Sequence, residues 1–293
     1  MKLKDFFNPN EVYRDAEFSV TLHPRATCPG AICYAMSEAL ILKVNRNPYL
    51  TAVITRPEFV SLLADAKGVA VVENPQQSYY ELHNHLFRSG SMRVHREHSI
   101  SPSAQIAPTA SIGNHVVIED GVTIGPGAII GDFTILGEGT AVEAYAVIGA
   151  RGMQNTKVND RRFKVEWAGG VKIGKNCEVL TAAIVQRPYH CEYTEIGDDS
   201  QISVKVNIGH GVRVGARTMI GGNAQVAGNA TIGSDVWIGQ SSTISDGISI
   251  GDGAEVKMGS VVVRSVSAGT SVSGNFAFRH DRHIQEYVAK LHE

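Results

Sequence analysis

Cysteine is scarce. The four thiols, Cys28, Cys33, Cys177 and Cys191, form no C-x-x-C pair, which argues against a disulfide framework and fits reduced thiols in a cytoplasmic chain. An excess of one charge is lacking too. Acids and bases mix to a formal net −2, without the basic stripe of a nucleic-acid binder. No apolar window approaches the ~18 residues of a membrane span, and the start, Met1 to Phe7, has no apolar stretch of signal-peptide length. Aromatic residues make up only 7% of the chain, whereas glycine reaches 30 residues. That balance disfavours an ordinary mixed fold and points to a repeat.

What is abundant is periodicity. A branched aliphatic residue returns at every sixth position from Ile106, through Ile112, Ile118, Ile124, Ile130, Leu136 and Val142 to Ile148. A second run goes from Ile196 through Ile202, Ile208, Val214, Ile220, Val226, Ile232, Ile238, Ile244, Ile250 and Val256 to Val262. Glycine often follows the aliphatic, as at Gly113, Gly125, Gly209 and Gly221. A small residue often falls four positions after it, as at Ala128, Thr140, Ala224 and Ser260, and Ile248 is the bulkiest there. An alternating strand has period two and an amphipathic helix about 3.6, so neither explains a strict six. Six residues make a short strand and a corner, and three sides close a triangular coil of eighteen. The large aliphatic fills the interior, the small residue fits near a corner, and glycine is expected to relieve the bend. One coil cannot bury its own interior, so coils must stack. The pattern predicts a mainly β chain built on a left-handed parallel β-helix of hexapeptide repeats.

Residues 1–98 lack the repeat and read as a small α/β domain, with strands at 51–55 and 68–72 and helices over 57–66 and 75–87. Residues 88–92 are the expected link to a β-helix over 99–266. Two loops, 150–172 and 186–195, interrupt it, and Ile173 and Val179 resume the period in shifted phase. Long loops on a rigid solenoid either build its binding surface or are tolerated insertions. Past Val262 the coil is expected to end. Residues 267–293 form an extension and a helix whose Ile284, Tyr287, Val288 and Leu291 share one face. That helix would cap the open edge of the solenoid.

Residues 206–215 read Val-Asn-Ile-Gly-His-Gly-Val-Arg-Val-Gly, and residues 225–228 read Gln-Val-Ala-Gly. With the small N-terminal domain, the β-helix and the helical tail, they make the chain resemble the hexapeptide acyltransferases over nearly its whole length. In particular it looks like the UDP-3-O-acylglucosamine N-acyltransferases of lipid A biosynthesis and related nucleotide-sugar N-acetyltransferases. The resemblance implies His210 as catalytic base and the Gly228 amide as oxyanion donor. It also implies Tyr34, in the stretch Pro-Gly-Ala-Ile-Cys-Tyr at 29–34, as an aromatic stacking on uracil. Asn207, inside the first matched segment, and Asn223, just before the second, are further candidate substrate contacts. A homotrimer is implied as well, with the long loops reaching a neighbouring subunit.

The chain departs from the lipid A pattern at three places, one being the aromatic-glycine loop after the first coils, which here reads Ala-Arg-Gly-Met-Gln at 150–154. The second active-site histidine of that family falls near Gly247, and the acid seven residues before His210 is Ser203. Residues 258–269 and 274–277 instead resemble coenzyme-A-dependent sugar acetyltransferases, with Phe276 where those usually have proline. That likeness points to Met258, Gly259 and Arg264 as donor contacts. It favours acylation of the amino group of another nucleotide-linked sugar. The cosubstrate would be a coenzyme A thioester, most simply acetyl-CoA, with an acyl carrier protein thioester as the alternative donor and no permanently bound cofactor.

Amide formation from a thioester needs a neutral amine, a base and support for the tetrahedral oxyanion. Histidine suits the base role because its unperturbed pKa is ~6.5. His210 lies two positions past Ile208, outward at a corner, and Gly228 lies eighteen residues later. One full coil separates them, so they should stack on neighbouring rungs about 4.8 Å apart. Glu192 and Glu195, about one coil earlier, are candidates to orient the imidazole. His115 and His190 read first as structural or solvated side chains, and Arg264, Arg279 and Arg282 as a solvated cluster or contacts to donor phosphates.

Other readings stay open. The lipid A N-acyltransferase using a hydroxyacyl carrier protein is one, and a non-catalytic sugar-nucleotide binder is another. A metal hydratase of carbonic-anhydrase type would need several histidines converging on zinc, and His115, His190 and His210 lack close paired spacing. No Gly-rich phosphate loop opens the N-terminal domain, which disfavours a nucleotidyltransferase.

Overall fold

The six-residue period folds into a three-sided coil. The computed structural model describes residues 1–92, 97–153, 157–274 and 279–291. From Ser99 to Val272, short strands, most of two residues, line up in three parallel sheets of nine, eight and eight strands. Register follows the repeat: Asn207 pairs with Gln225, Gln225 with Thr243, and Thr243 with Val261. Ile130, Ile208, Val226 and Ile244 are fully buried inside the stack, as are the small Ala128, Ala146, Ala224 and Ala230 near the corners. Each short strand thus contributes one large side chain inward, and the stack supplies what a single coil cannot bury.

Glycine relieves the bend at some corners, with positive φ at Gly121, Gly139, Gly211 and Gly247, whereas Gly113, Gly125, Gly209 and Gly221, directly after the aliphatic, do not take that conformation. The left-handed residue of each corner comes three positions after the aliphatic, and side chains as varied as Phe133, Lys205, Arg217 and Asn223 occupy it. The glycine directly after the aliphatic is needed for close stacking. At Gly209, a Cβ would lie 2.7 Å from the Gly228 nitrogen on the next coil.

The β-helix also runs further than expected. Ile250 bridges Val266, and Ser271–Val272 pairs with Glu255–Val256. The period shortens to four residues between Val262 and Val266 and then returns to six at Val272, so a strict count stops one rung early.

Residues 12–71 form a five-stranded sheet in the order β1-β5-β4-β3-β2, with β1 Val12–Arg14, β2 Val20–Thr21, β3 Ala31–Tyr34, β4 Leu50–Thr55 and β5 Gly68–Val71. The last four are mutually parallel and β1 is antiparallel at the edge. Helix α1, Glu38–Arg46, is capped by Ser37, whose hydroxyl accepts from the Leu40 amide. The expected helix over 57–66 is a 3-10 segment, Pro57–Leu62, that ends as Leu63 turns into the core. Helix α2 spans Pro75–Arg88, with Pro75 in its first turn, so the expected link at 88–92 begins one residue late.

The first long loop belongs to this domain. Val165, Trp167 and Ala168 are buried, and Val165 and Ala168 join the N-terminal core. Asn84 of α2 grips the strap from both sides, donating to the Lys164 carbonyl at 2.9 Å and accepting from the Glu166 amide at 2.9 Å. His83 Nε2 lies 3.0 Å from the Glu166 carbonyl and Nδ1 lies 2.6 Å from the Thr21 hydroxyl. Since a carbonyl only accepts, Nε2 carries the proton and the Thr21 hydroxyl donates to Nδ1. Over its described part, this loop fastens the chain's own two lobes.

Helix α3 spans His280–Leu291. Arg282 and Val288 are exposed; the side chains of Ile284, Tyr287 and Leu291, on which the expected apolar face depends, lie outside the described residues, as does Phe276. Among the described residues no helix is long and apolar enough to cross a membrane.

Candidate active site

One corner of the β-helix meets the N-terminal lobe. Along it, main-chain bonds hold three rungs in register: the Asn229 amide donates to the His210 carbonyl at 2.8 Å, and the Gly247 amide to the Gly228 carbonyl at 3.0 Å. Gly211, Asn229 and Gly247 take the left-handed turn position. The residue before each turn, His210, Gly228 and Asp246, therefore projects to the same side, one coil apart.

His210 leans over Gly228. A Cβ built on Gly228 would sit 2.7 Å from His210 Nε2, 2.8 Å from Cε1 and 3.1 Å from Asp246 Oδ1. Only glycine leaves room for this arrangement. Among the described residues, none accepts a hydrogen bond from the Gly228 amide. Many amides at this position of the coil, those of His210 and Asp246 among them, are likewise without an acceptor among the described residues, whereas others are committed. The Asn114 and Ser234 amides, equivalent in the repeat, each donate to an aspartate one coil ahead, Asp132 and Asp252, at 2.8 Å.

The half-buried His210 imidazole is pushed toward its neutral form by desolvation, and the Asp246 carboxylate opposes that shift. His23, from the N-terminal lobe, faces the same corner, and its pKa is lowered by crowding first and then by the His210 and Arg25 charges. Behind it lies His190, buried, with its ring centroid 4.1 Å from that of His23 and its Nε2 3.1 Å from the Tyr79 hydroxyl. Desolvation holds His190 neutral. His190 is thus packed between aromatic groups behind the site, as expected of a structural histidine, and the His115 ring stacks on Phe133 at 5.3 Å.

A cavity of about 480 Å³ opens beside this corner between the two lobes. His23, Arg25, Thr27 and Lys43 form its N-terminal wall, and Glu192, Gly211, Arg213, Asn229, Asp246 and Gly247 its β-helix wall. Arg25 Nη1 lies 4.0 Å from the point a Gly247 Cβ would occupy, so a guanidinium from the N-terminal lobe reaches the place where the resemblance expects a second histidine. Burial raises the Glu192 pKa and the Arg213 charge opposes it.

The structure thus brings together His210 and Gly228, and places Glu192 on the wall. It does not bring the other expected residues there. Tyr34 is partly buried in an aromatic cluster, its ring 5.1 Å from that of Tyr79 and 6.2 Å from that of Tyr80. Asn207 lies on a flat face, its Oδ1 accepting from Gln186 Nε2 at 2.9 Å. Asn223, with φ 58°, and Gly259, with φ 68°, belong to a different corner of the triangle, where Met258 is 62% exposed. Arg264 is exposed on the last rungs. Asp246, His23, Arg25 and Arg213 were missed. Asp246 was within reach of register counting, since it lies two coils after His210. Nothing in the sequence marks His23 and Arg25, because the contact between lobes has no period.

Residues 115–150 and 229–264 match the family model described as bacterial transferase hexapeptide (six repeats). Both matched segments lie within the β-helix. No curated protein matches the chain. Among solved structures, the chain is similar to the UDP-N-acetylglucosamine acyltransferase of Francisella novicida, at 20% identity and a TM-score of 0.46, over 66% of this chain and 72% of that one. It is similar to LpxA from Acinetobacter baumannii at 25% identity and a TM-score of 0.43, over 66% and 76%. The acetyltransferase domain of PglB from Neisseria gonorrhoeae, solved with acetyl coenzyme A, aligns at 16% identity and a TM-score of 0.29, over 84% and 98%.

Among the described residues no three His, Cys, Asp or Glu side chains are grouped so that they could hold a metal ion. The hydratase reading gains no observation in its favour.

Proposed function

We propose that this protein is an N-acyltransferase that moves an acyl group from a coenzyme A thioester, most simply acetyl-CoA, to the amino group of a nucleotide-linked sugar. The observation that carries this reading is a neutral imidazole, His210, poised over an uncommitted main-chain amide, Gly228, beside an open cavity.

The chemistry follows from that pair. The amine nitrogen attacks the thioester carbonyl, and His210 accepts the proton the nitrogen sheds. The carbonyl oxygen becomes an oxyanion and takes a hydrogen bond from the Gly228 N–H, a type of interaction worth about 3–4 kcal/mol in a water-poor site. That attack forms the C–N bond; collapse of the adduct restores the C=O double bond and breaks the C–S bond. The thiolate leaves with the proton that His210 holds, which returns the base to its starting state.

The wall charges suit an anionic acceptor. Arg25, Lys43 and Arg213 ring the cavity and match a diphosphate, while Glu192 and Asp246 stand nearer the reacting corner. This assigns acceptor binding to the cavity between the lobes; Tyr34 then serves the domain core. The homotrimer belongs to the same reading, supported by Ile129, Ile184 and Val261, exposed along one flat sheet.

A panel of UDP- and dTDP-amino sugars, tested against acetyl-CoA, longer acyl-CoA and acyl carrier protein thioesters with mass analysis of products, tests the assignment. N-acylated sugar nucleotide from a coenzyme A donor is expected. Turnover with an acyl carrier protein donor alone would redirect the reading to the lipid A reaction, and absence of product with every pair would leave a binding protein.

A further inference from the structure

We propose that Asp246 and His210 form a two-acceptor cradle for the acceptor's amino group, so that the site selects a primary amine over a hydroxyl at the same carbon. The inference rests on the acyl-transfer reading above and adds to it the residue that distinguishes nitrogen from oxygen.

The geometry comes from Gly228. His210 Nε2 lies 2.7 Å and Asp246 Oδ1 3.1 Å from the same point in space, where a side chain on Gly228 would begin. The two atoms are therefore no farther apart than the sum of those distances, and no atom of Gly228 stands between them. A group of one heavy atom can touch both.

Asp246 is also free to act. Its aspartate repeat equivalents are all committed: Asp132 accepts from the Asn114 amide, Asp252 from Ser234 and Asp198 from Lys175, each at 2.8 Å, and Asp120 accepts from the Ser101 and Ser103 hydroxyls. Asp246 accepts no hydrogen bond from any described residue, though the Gly228 amide stands in the equivalent place. It lines the cavity and is exposed to it. The groups facing it from the opposite lobe are His23 and Arg25, and from its own lobe His210.

An attacking amine needs its lone pair for the carbonyl carbon and has two N–H bonds to place. One points to His210 Nε2, which removes that proton, and the other to the Asp246 carboxylate. As the nitrogen gains positive charge in the adduct, the carboxylate stabilises it, so the contact strengthens toward the transition state. A hydroxyl has one O–H, which His210 takes, and leaves Asp246 facing a second oxygen lone pair. That repulsion penalises the alcohol.

The test uses the full-length Asp246→Asn variant with an accepted nucleotide amino sugar and with its congener bearing a hydroxyl at the same carbon. Wild type should favour the amine, and D246N should lose at least tenfold in kcat/KM on the amine while transfer to the hydroxyl holds or rises. The limb of the pH profile set by His210 should also move to lower pH, because an anion that favours its protonated form is gone. An unchanged melting temperature shows that the fold is intact. Equal loss on both acceptors, or unchanged amine transfer, overturns the cradle. A His210→Ala variant run in parallel separates the two claims: full activity there removes the base assignment itself, whatever D246N does.

Discussion

The His210 imidazole occupies the space that any side chain at residue 228 would need, with Nε2 2.7 Å from the first atom of that side chain. One full coil of sequence becomes one strand spacing, and the bare glycine turns that spacing into contact. Gly228→Ala should therefore push the imidazole aside and lower kcat by about 10²–10³, the range found when an oxyanion donor or its geometry is lost. The melting temperature should stay within a few degrees, since residue 228 lies at an outer corner. Steady-state kinetics with a parallel thermal melt measures both.

The pH dependence of kcat/KM should carry His210's signature. Desolvation lowers its pKa below the usual ~6.5, so the free enzyme's base is already neutral at pH 7. Activity should rise with pH through a limb below ~6.5 and be flat from there to neutrality. A limb above pH 7 assigned to this residue would contradict the environment described.

Buried histidines also link folding to pH. His83 is wholly buried and its pKa falls to about 4, through desolvation that its bond to the Glu166 carbonyl only partly offsets. The unfolded chain therefore binds the proton first as pH drops below ~6.5, and stability falls by up to about 1.4 kcal/mol per pH unit until the folded group titrates near pH 4. His190 has the same sign. Urea unfolding between pH 7 and 4.5 should show this decline, and His83→Asn should flatten it.

Asn84 fastens the strap of residues 163–168 to α2 with two hydrogen bonds at 2.9 Å, and is 6% exposed. Asn84→Ala leaves a part-buried carbonyl and a part-buried amide without their protein partner, each costing at most about 1–3 kcal/mol. A lower urea midpoint and faster protease cleavage within 157–168 are expected, with cleavage in the β-helix unchanged.

The β-helix was legible because its physics is one-dimensional: the interior repeats, so Ile208, Val226 and Ile244 announce it at fixed intervals. The same arithmetic puts His210 beside Gly228 and, carried one rung further, reaches Asp246. It failed where the interval changes, between Val262 and Val266, and where chemistry comes from outside the repeat. The local stretch around Tyr34 carries no sign of Tyr79 and Tyr80, which α2 sets beside its ring. Arg25 and His23 reach the corner through contacts between lobes that are distant in sequence, and such contacts leave no local pattern. Fastening by the loop of 150–172 was equally hidden, because a polar stretch reads as surface until its partner, Asn84, is known.

The most direct test is the rate of acyl transfer from acetyl-CoA to an accepted nucleotide amino sugar by wild-type protein and by His210→Ala at equal, verified folding. With His210 as base, the variant should lose about 10²–10⁴ in kcat, while acceptor affinity measured by calorimetry changes less than threefold. Full transfer by the His210→Ala protein would contradict the assignment and place the base elsewhere in the cavity.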